Sequence, residues 1–121
     1  MSKILIIEDN PDNARLAKKL LVRANHEVLI ATEGEAGYEM ALAHSPDVIL
    51  MDLGLPDLDG QTVVGLLRQH PSTAAMPIIA FTAWPQDTAE QMAAAYGCNG
   101  VILKPFDTHS FASQVERFIV K

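Results

Sequence analysis

The sequence predicts one α/β domain, doubly wound, with five parallel strands and helices on both faces. Three observations predict it. Five short apolar runs alternate with five segments of helical pattern, the connections between them are only a few residues long, and no repeat or low-complexity stretch interrupts the alternation. In such a chain each right-handed crossover packs its helix back on the sheet, which makes the sheet parallel. One domain is the natural count for 121 residues, and 49% hydrophobic against 20% charged residues leaves ample material for a core.

Lys3 to Ile7 is the first buried-strand signal, and it ends in two acids, Glu8 and Asp9. Asn10 followed by Pro11 reads as an N-cap with proline at the first helical position. In the helix that follows, Ala17, Leu20, Leu21 and Ala24 form an apolar stripe at helical spacing, and Arg15, Lys18, Lys19 and Arg23 lie off it. Asn25 and His26 end that helix, and Glu27 to Ala31 reads as the second strand. A helix from about Glu35 to His44, with Ala36, Met40 and Ala43 on its apolar side, stops at Ser45-Pro46.

Asp47 opens the central strand. Val48 to Met51 are four consecutive apolar residues ending abruptly at Asp52, the pattern of a strand buried on both faces. A loop holding Gly54, Pro56, Asp57 and Asp59 closes at Gly60, with the two acids read as turn residues. Gln61 to His70 is helical through Val63, Val64 and Leu67, until Pro71. Pro77 to Thr82 is the fourth strand, ending in a hydroxyl. A helix from about Pro85 to Tyr96 is stopped by Gly97. Gly100 to Lys104 is the fifth strand, closed off by Pro105. The last helix runs from about Thr108 to Val120, with Phe111, Val115 and Phe118 facing inward.

Composition excludes several functions. A net charge of −6 argues against a nucleic-acid backbone as direct partner. No apolar run is long enough for a membrane span, and no basic-plus-apolar leader precedes the first strand. The single cysteine, Cys98, allows no internal disulfide and reads as a small packed residue in a cytoplasmic protein. The scattered His26, His44, His70 and His109 have no metal-site spacing and read as surface residues. No glycine-rich phosphate loop follows a strand. The chain ends where its fifth helix ends, so no output domain is expected.

Parallel strands present their carboxyl ends at one edge, where open α/β folds place their ligands. Glu8, Asp9, Asp52, Thr82 and Lys104 gather there. Three carboxylates in one cleft repel one another unless a cation sits among them. Oxygen-only donors suit a hard ion such as Mg²⁺, which commonly takes one or two carboxylates plus waters and a phosphate oxygen. Lysine can neutralise an anion and threonine can donate to it. An ionised, correctly aimed aspartate can act as a nucleophile and form an aspartyl-phosphate.

Glu8-Asp9-Asn10, Met51-Asp52 with Pro56 and Gly60, Thr82-Ala83 and Lys104-Pro105-Phe106 together resemble the receiver domain of two-component response regulators, over essentially the whole chain. The resemblance implies the flavodoxin-like strand order 2-1-3-4-5 and a receiver spanning residues 1–121, similar to the stand-alone chemotaxis or cell-division regulators. It makes Asp52 the phosphoacceptor and Glu8 and Asp9 the Mg²⁺ acids, with the Gly54 backbone carbonyl as a further ligand. Thr82 would bind the phosphoryl oxygen and Lys104 would pair with it. The donor would be a sensor histidine kinase or a histidine phosphotransfer protein, and the output a downstream protein target or onward relay. Such a protein assists its own phosphorylation and dephosphorylation but has no independent small-molecule substrate. A phosphatase of the haloacid-dehalogenase kind would need a second aspartate two residues after the nucleophile, where Gly54 stands. A degenerate receiver would lack part of the acidic set or the lysine.

Receivers usually carry an aromatic residue three positions before the lysine, whereas Val101 stands there. Trp84, two residues beyond Thr82, is expected to border the site and to shield an acyl phosphate from water. The basic face of the first helix reads as a solvated face that keeps the helix soluble or as a docking surface for an acidic partner.

Overall fold

A computed structural model describes residues 2–119. Strands β1 (Lys3–Ile7), β2 (Glu27–Ala31), β3 (Val48–Met51), β4 (Ile78–Thr82) and β5 (Gly100–Leu103) alternate with helices α1 (Pro11–Arg23), α2 (Gly34–His44), α3 (Gly60–Gln69), α4 (Gln86–Tyr96) and α5 (Phe111–Glu116). The strands form one sheet in the order β2-β1-β3-β4-β5, and every pairing is parallel. This is the five-stranded, doubly wound order expected.

Alternation along each strand sorts the core into two layers. Leu5, Ile7, Ile49, Met51, Ile78 and Ala80 face α2, α3 and α4, meeting Ala41, Val63, Val64, Leu67 and Ala93. Ile4, Ile6, Val48, Leu50, Ile79, Phe81 and Ile102 face the other way, onto Ala17 and Leu21 of α1 and Phe111 and Val115 of α5. With both faces covered, the central strands β1, β3 and β4 are apolar at every position but their ends.

The local signals act as their chemistry requires. The Asn10 side chain accepts the N–H groups of Asp12 and Asn13, with Pro11 at the start of α1. Gly97 takes φ 96° at the end of α4, a left-handed position that suits glycine. Asp59 is the N-cap of α3, its carboxylate accepting the Thr62 N–H at 2.8 Å, and is thus more than a turn residue.

Three expectations are corrected. The fully buried side of α2 is Gly34, Gly37 and Ala41, because β1 approaches the helix closely; of the expected row, Ala36 and Met40 pack half-buried against the core and Ala43 is exposed. A Cβ on Gly37 would lie 2.5 Å from Ile7 Cδ1. Regular α5 is only Phe111–Glu116. Asp107 turns the chain before it, its carboxylate accepting the His109 N–H, and the bonds from Phe118 to Val115 and from Ile119 to Glu116 tighten its exit. The exit brings Phe118 onto β5 at Gly100, whose hydrogen stands where a Cβ would strike the ring. Val120, the expected helix end, lies outside the described residues. Finally, His26 is not a surface residue. Its side chain is 7% exposed, with Nδ1 accepting the Ser2 N–H and Nε2 2.7 Å from the Glu116 carboxylate.

Gly60 and Gly65 make a contrasting pair on α3. A Cβ on Gly60 would lie 2.8 Å from the Leu53 Cα, whereas one on Gly65 meets nothing within 4 Å. Gly60→Ala should lower stability by about 1–3 kcal/mol through overpacking. Gly65→Ala should raise it by about 0.5–1 kcal/mol through lost backbone freedom in the unfolded chain and better helix propensity. Urea midpoints that move the same way for both would contradict this packing.

Candidate functional site

The site lies where the strand order reverses, between β1 and β3. Ile7 pairs with Met51, so the next residue on each strand, Glu8 and Asp52, arrives at the same level. The Asp52 N–H donates to the Ile7 carbonyl at 2.9 Å, carrying the pairing one residue past the strand ends. Glu8 is fully buried and Asp52 nearly so. Asp9, exposed, adds a third carboxylate, and one oxygen from each of the three acids lies within 4.8 Å of the others.

β4 and β5 deliver the hydroxyl and the amine. Met51 pairs with Ala80, so Thr82 reaches the edge one residue beyond the level of Asp52. Its buried hydroxyl accepts the Trp84 N–H at 3.2 Å. Lys104 follows immediately after β5, its own N–H donating to the Thr82 carbonyl at 2.8 Å. Its ammonium lies 2.5 Å from Glu8 Oε1 and 3.6 Å from Asp52 Oδ2, and 4.9 Å from the centre of the Phe81 ring. Phe81, Phe106 and Phe111 pack together beneath it, the Phe106 and Phe111 rings 4.4 Å apart. A cation on an aromatic face is attracted to it and loses freedom, which fixes where the amine points.

Burial pushes the Glu8 carboxyl up to about 7, the neighbouring Asp52 adds to this, and Lys104 opposes it. Burial raises Asp52 as well, but hydrogen bonding from Glu8, the Gly54 N–H at 3.0 Å and the Lys104 charge more than offset it. Asp52 is therefore held below the usual carboxylate range. The surroundings therefore push the two neighbouring acids apart, Glu8 up and Asp52 down.

The donor set fits a hard divalent cation. It consists of oxygens alone, carries an excess of negative charge, and spans a distance one ion can bridge. Gly54 is exposed beside it, and a Cβ there would meet only Asp52 Oδ1, at 3.9 Å. The sequence-based list of Glu8, Asp9, Asp52, Gly54, Thr82 and Lys104 is thus gathered at one edge.

Residues 4–116 match the family model described as the response regulator receiver domain. This chain belongs to that family. The receiver is 37% identical over 120 residues to the response regulator ArlR of Staphylococcus saprophyticus, covering 98% of this chain and 53% of that protein, so it spans about half the length of that relative. Among solved structures it resembles the chemotaxis response regulator CheY4 of Vibrio cholerae, with a TM-score of 0.91, 25% identity, and 98% of this chain and 99% of that one covered. It also resembles the receiver domain of a sensor histidine kinase from Pseudomonas aeruginosa, with a TM-score of 0.88, 29% identity, and 97% and 96% covered. That structure holds a magnesium ion coordinated in its active-site cleft. The receiver assignment agrees with the resemblance drawn from the motifs, and receivers serve phosphorylation-dependent signalling under histidine kinases.

Two features of this receiver have no clear sequence signal. The Phe81 seat for Lys104 depends on the sheet bringing two strands side by side. Asp57, read as a turn residue, also caps α2, its two oxygens accepting the Gly34 and Glu35 N–H groups at 2.7 and 3.0 Å. Trp84 is half-buried, its ring packed on the α2–α4 layer of the core, and its backbone N–H is the part that meets Thr82.

Glu8 makes stability depend on pH. Its folded value of about 7 exceeds its ordinary 4.5, so the folded state holds more protons in between and stability falls as pH rises through that window. Asp52, shifted down, acts only below the ordinary aspartate range, with the opposite sign. With divalent metal chelated, unfolding free energy should therefore rise by about 1–2 kcal/mol as pH is lowered from 7.5 to 5. Glu8→Gln should remove most of that slope; denaturant titrations showing the same slope in both proteins would refute the assignment.

Proposed function

We propose that Asp52 is the phosphoacceptor of this receiver and that Glu8, Asp9, Asp52 and the Gly54 carbonyl hold Mg²⁺ beside it. The observation that carries this is Asp52 at the buried end of β3, flanked by two further acids and an ammonium seated on Phe81. When bound, Mg²⁺ supplies positive charge that offsets the acids and the incoming phosphoryl oxygens. The Asp52 carboxylate attacks phosphorus of a phosphohistidine. The new P–O bond forms as the P–N bond breaks, and the imidazole leaves with that electron pair. Lys104 then pairs with the phosphoryl oxygens, and the Thr82 hydroxyl turns from the Trp84 N–H to donate to one of them. Catalysis here is positioning and charge stabilisation.

The donor is a sensor histidine kinase or a histidine phosphotransfer protein in the cytoplasm, and the output a protein target that reads the altered surface. Support for the docking face comes from α1. Arg15, Lys18, Lys19 and Arg23 are exposed there, together with Leu16 and Val22, 41% and 49% exposed. A basic rim around apolar side chains suits an acidic partner surface.

Incubation with acetyl phosphate and Mg²⁺ should give an alkali-labile phosphoprotein, absent in Asp52→Asn and reduced at least about tenfold when EDTA replaces Mg²⁺. Label persisting in Asp52→Asn would place the acceptor elsewhere. The docking face has its own test. The Lys18→Glu, Lys19→Glu double variant should slow phosphotransfer from the cognate histidine donor by about tenfold or more at low salt. Its rate with acetyl phosphate should be unchanged; equal rates from the protein donor would remove α1 from the docking surface.

A further inference from the structure

Helix α2 begins without a cap of its own. Glu33, in the N-cap position, makes no side-chain bond to the first turn. The missing acceptors come from the loop after β3, where Asp57 Oδ1 takes the Gly34 N–H at 2.7 Å and Oδ2 takes the Glu35 N–H at 3.0 Å. Those bonds hold the exposed Asp57 carboxyl below the usual range. The two segments also pack closely. A Cβ on Gly34 would lie 2.8 Å from Val63 Cγ2 and 3.1 Å from Leu58 Cβ.

The same connection grips the other side of the site. The Glu8 N–H donates to the Ala31 carbonyl at 3.0 Å, at the end of β2. Residues 31–35 therefore tie the Glu8-Asp9 segment by main chain at one end and the 53–59 loop by Asp57 at the other. The 53–59 loop has other ties as well. Its closing bond, from the Gly60 N–H to the Leu53 carbonyl at 3.1 Å, and the Asp59 cap both fix it to α3, on its own side. Asp57 ties it across to the start of α2, which the Ala31 carbonyl joins to the Glu8-Asp9 segment.

We propose that Asp57 is a positioning residue for the cation site, its two-pronged hold on α2 keeping the Gly54 carbonyl at a set distance from Glu8 and Asp9. Asp57 itself touches no ligand. The inference rests on the metal-site reading above, and predicts that affinity for the ion depends on a carboxylate outside the ligand set. Partners that orient ligands without touching the metal commonly govern affinity in this way.

The test is the Mg²⁺ dissociation constant, measured by calorimetry on the folded protein without any phosphodonor. Asp57→Ala should raise it by about three- to tenfold, and Asp57→Asn, which keeps one acceptor oxygen, should fall between that variant and the unsubstituted protein. Thr73→Val is the control for general loosening. It removes the hydroxyl bond to the Leu67 carbonyl in the loop between α3 and β4, at the opposite edge of the sheet, and should leave Mg²⁺ binding unchanged. Dissociation constants for both Asp57 variants within about twofold of the unsubstituted protein overturn the proposal, as does equal weakening by Thr73→Val. Should Asp57→Ala fail to fold, Asp57→Asn carries the comparison alone. Absence of any Mg²⁺ binding by the unsubstituted protein would overturn the metal-site reading itself, and this inference with it.

Discussion

Two carboxylates delivered by neighbouring buried strands to the same level of a sheet edge cannot both be ionised without a nearby positive charge. That constraint, on Glu8 and Asp52, governs most of the architecture around them. Their meeting follows from the parallel register of β1 and β3, which the layered core fixes by burying Ile7 and Met51 beside each other. The fold therefore creates the conflict, and the surroundings resolve it in part. Lys104 stands against both acids, and Glu8 takes up a proton near neutrality instead of sharing full charge with its neighbour. What remains is a site whose excess negative charge favours a cation and whose two buried acids are pushed apart, Glu8 up and Asp52 down.

The cost of holding such a site is spread over structure that never touches it. Lys104 would sample many rotamers on an open edge; the Phe81, Phe106 and Phe111 cluster, continuous with the α1–α5 layer, gives it a seat. The 53–59 loop could drift from the acids, yet it is closed by the Gly60–Leu53 bond, packed against backbone at Gly60, and tied to α2 through Asp57. Each restraint uses a different interaction, so loss of one leaves the loop partly held. This is the arrangement expected where a loop beside a site must keep its position closely.

What could be read from the sequence divides along physical lines. Strand ends, caps and stops are local chemistry, and Asn10-Pro11, Gly97 and the acid closing the Val48–Met51 run carry it openly. The gathering of Glu8, Asp9, Asp52, Thr82 and Lys104 was readable because a parallel sheet leaves strand ends nowhere else to go. The centre of the α2 contact has the opposite cause. Ala36 and Met40 pack at its margin, but its fully buried residues are Gly34, Gly37 and Ala41, too small to register as an apolar stripe, with Ile7 coming close to Gly37. Asp57 does sit in a bend of its loop, but its cap on α2 and the burial of His26 escape the sequence because their partners lie far along the chain, at Gly34 and Glu35 for one and at Glu116 for the other. No local pattern announces a cap donated by another loop. The fold and the gathering of the acids follow from periodicity and edges, while the restraints on the loop beside them follow from packing.

Val101 and Thr82 together bear on how a change at Asp52 would travel. The usual aromatic before the lysine is absent, and Val101 is instead a half-buried wall of a groove of about 250 Å³ between α4 and β5, beside Glu90, Ala93 and Asn99. No ring exists at that position to swing inward. The Thr82 hydroxyl, however, is not idle, since it satisfies the Trp84 N–H at the start of the connection to α4. If a phosphoryl oxygen drew that hydroxyl away, the half-buried N–H would lose its acceptor, at a cost of about 1–3 kcal/mol unless the connection moves to find another. The Trp84 ring is anchored in the same core layer as Ala93 of α4, so a shift of that connection would be felt on the helix. In this receiver the coupling would then run through backbone and Trp84 packing, with no need for an aromatic partner on β5.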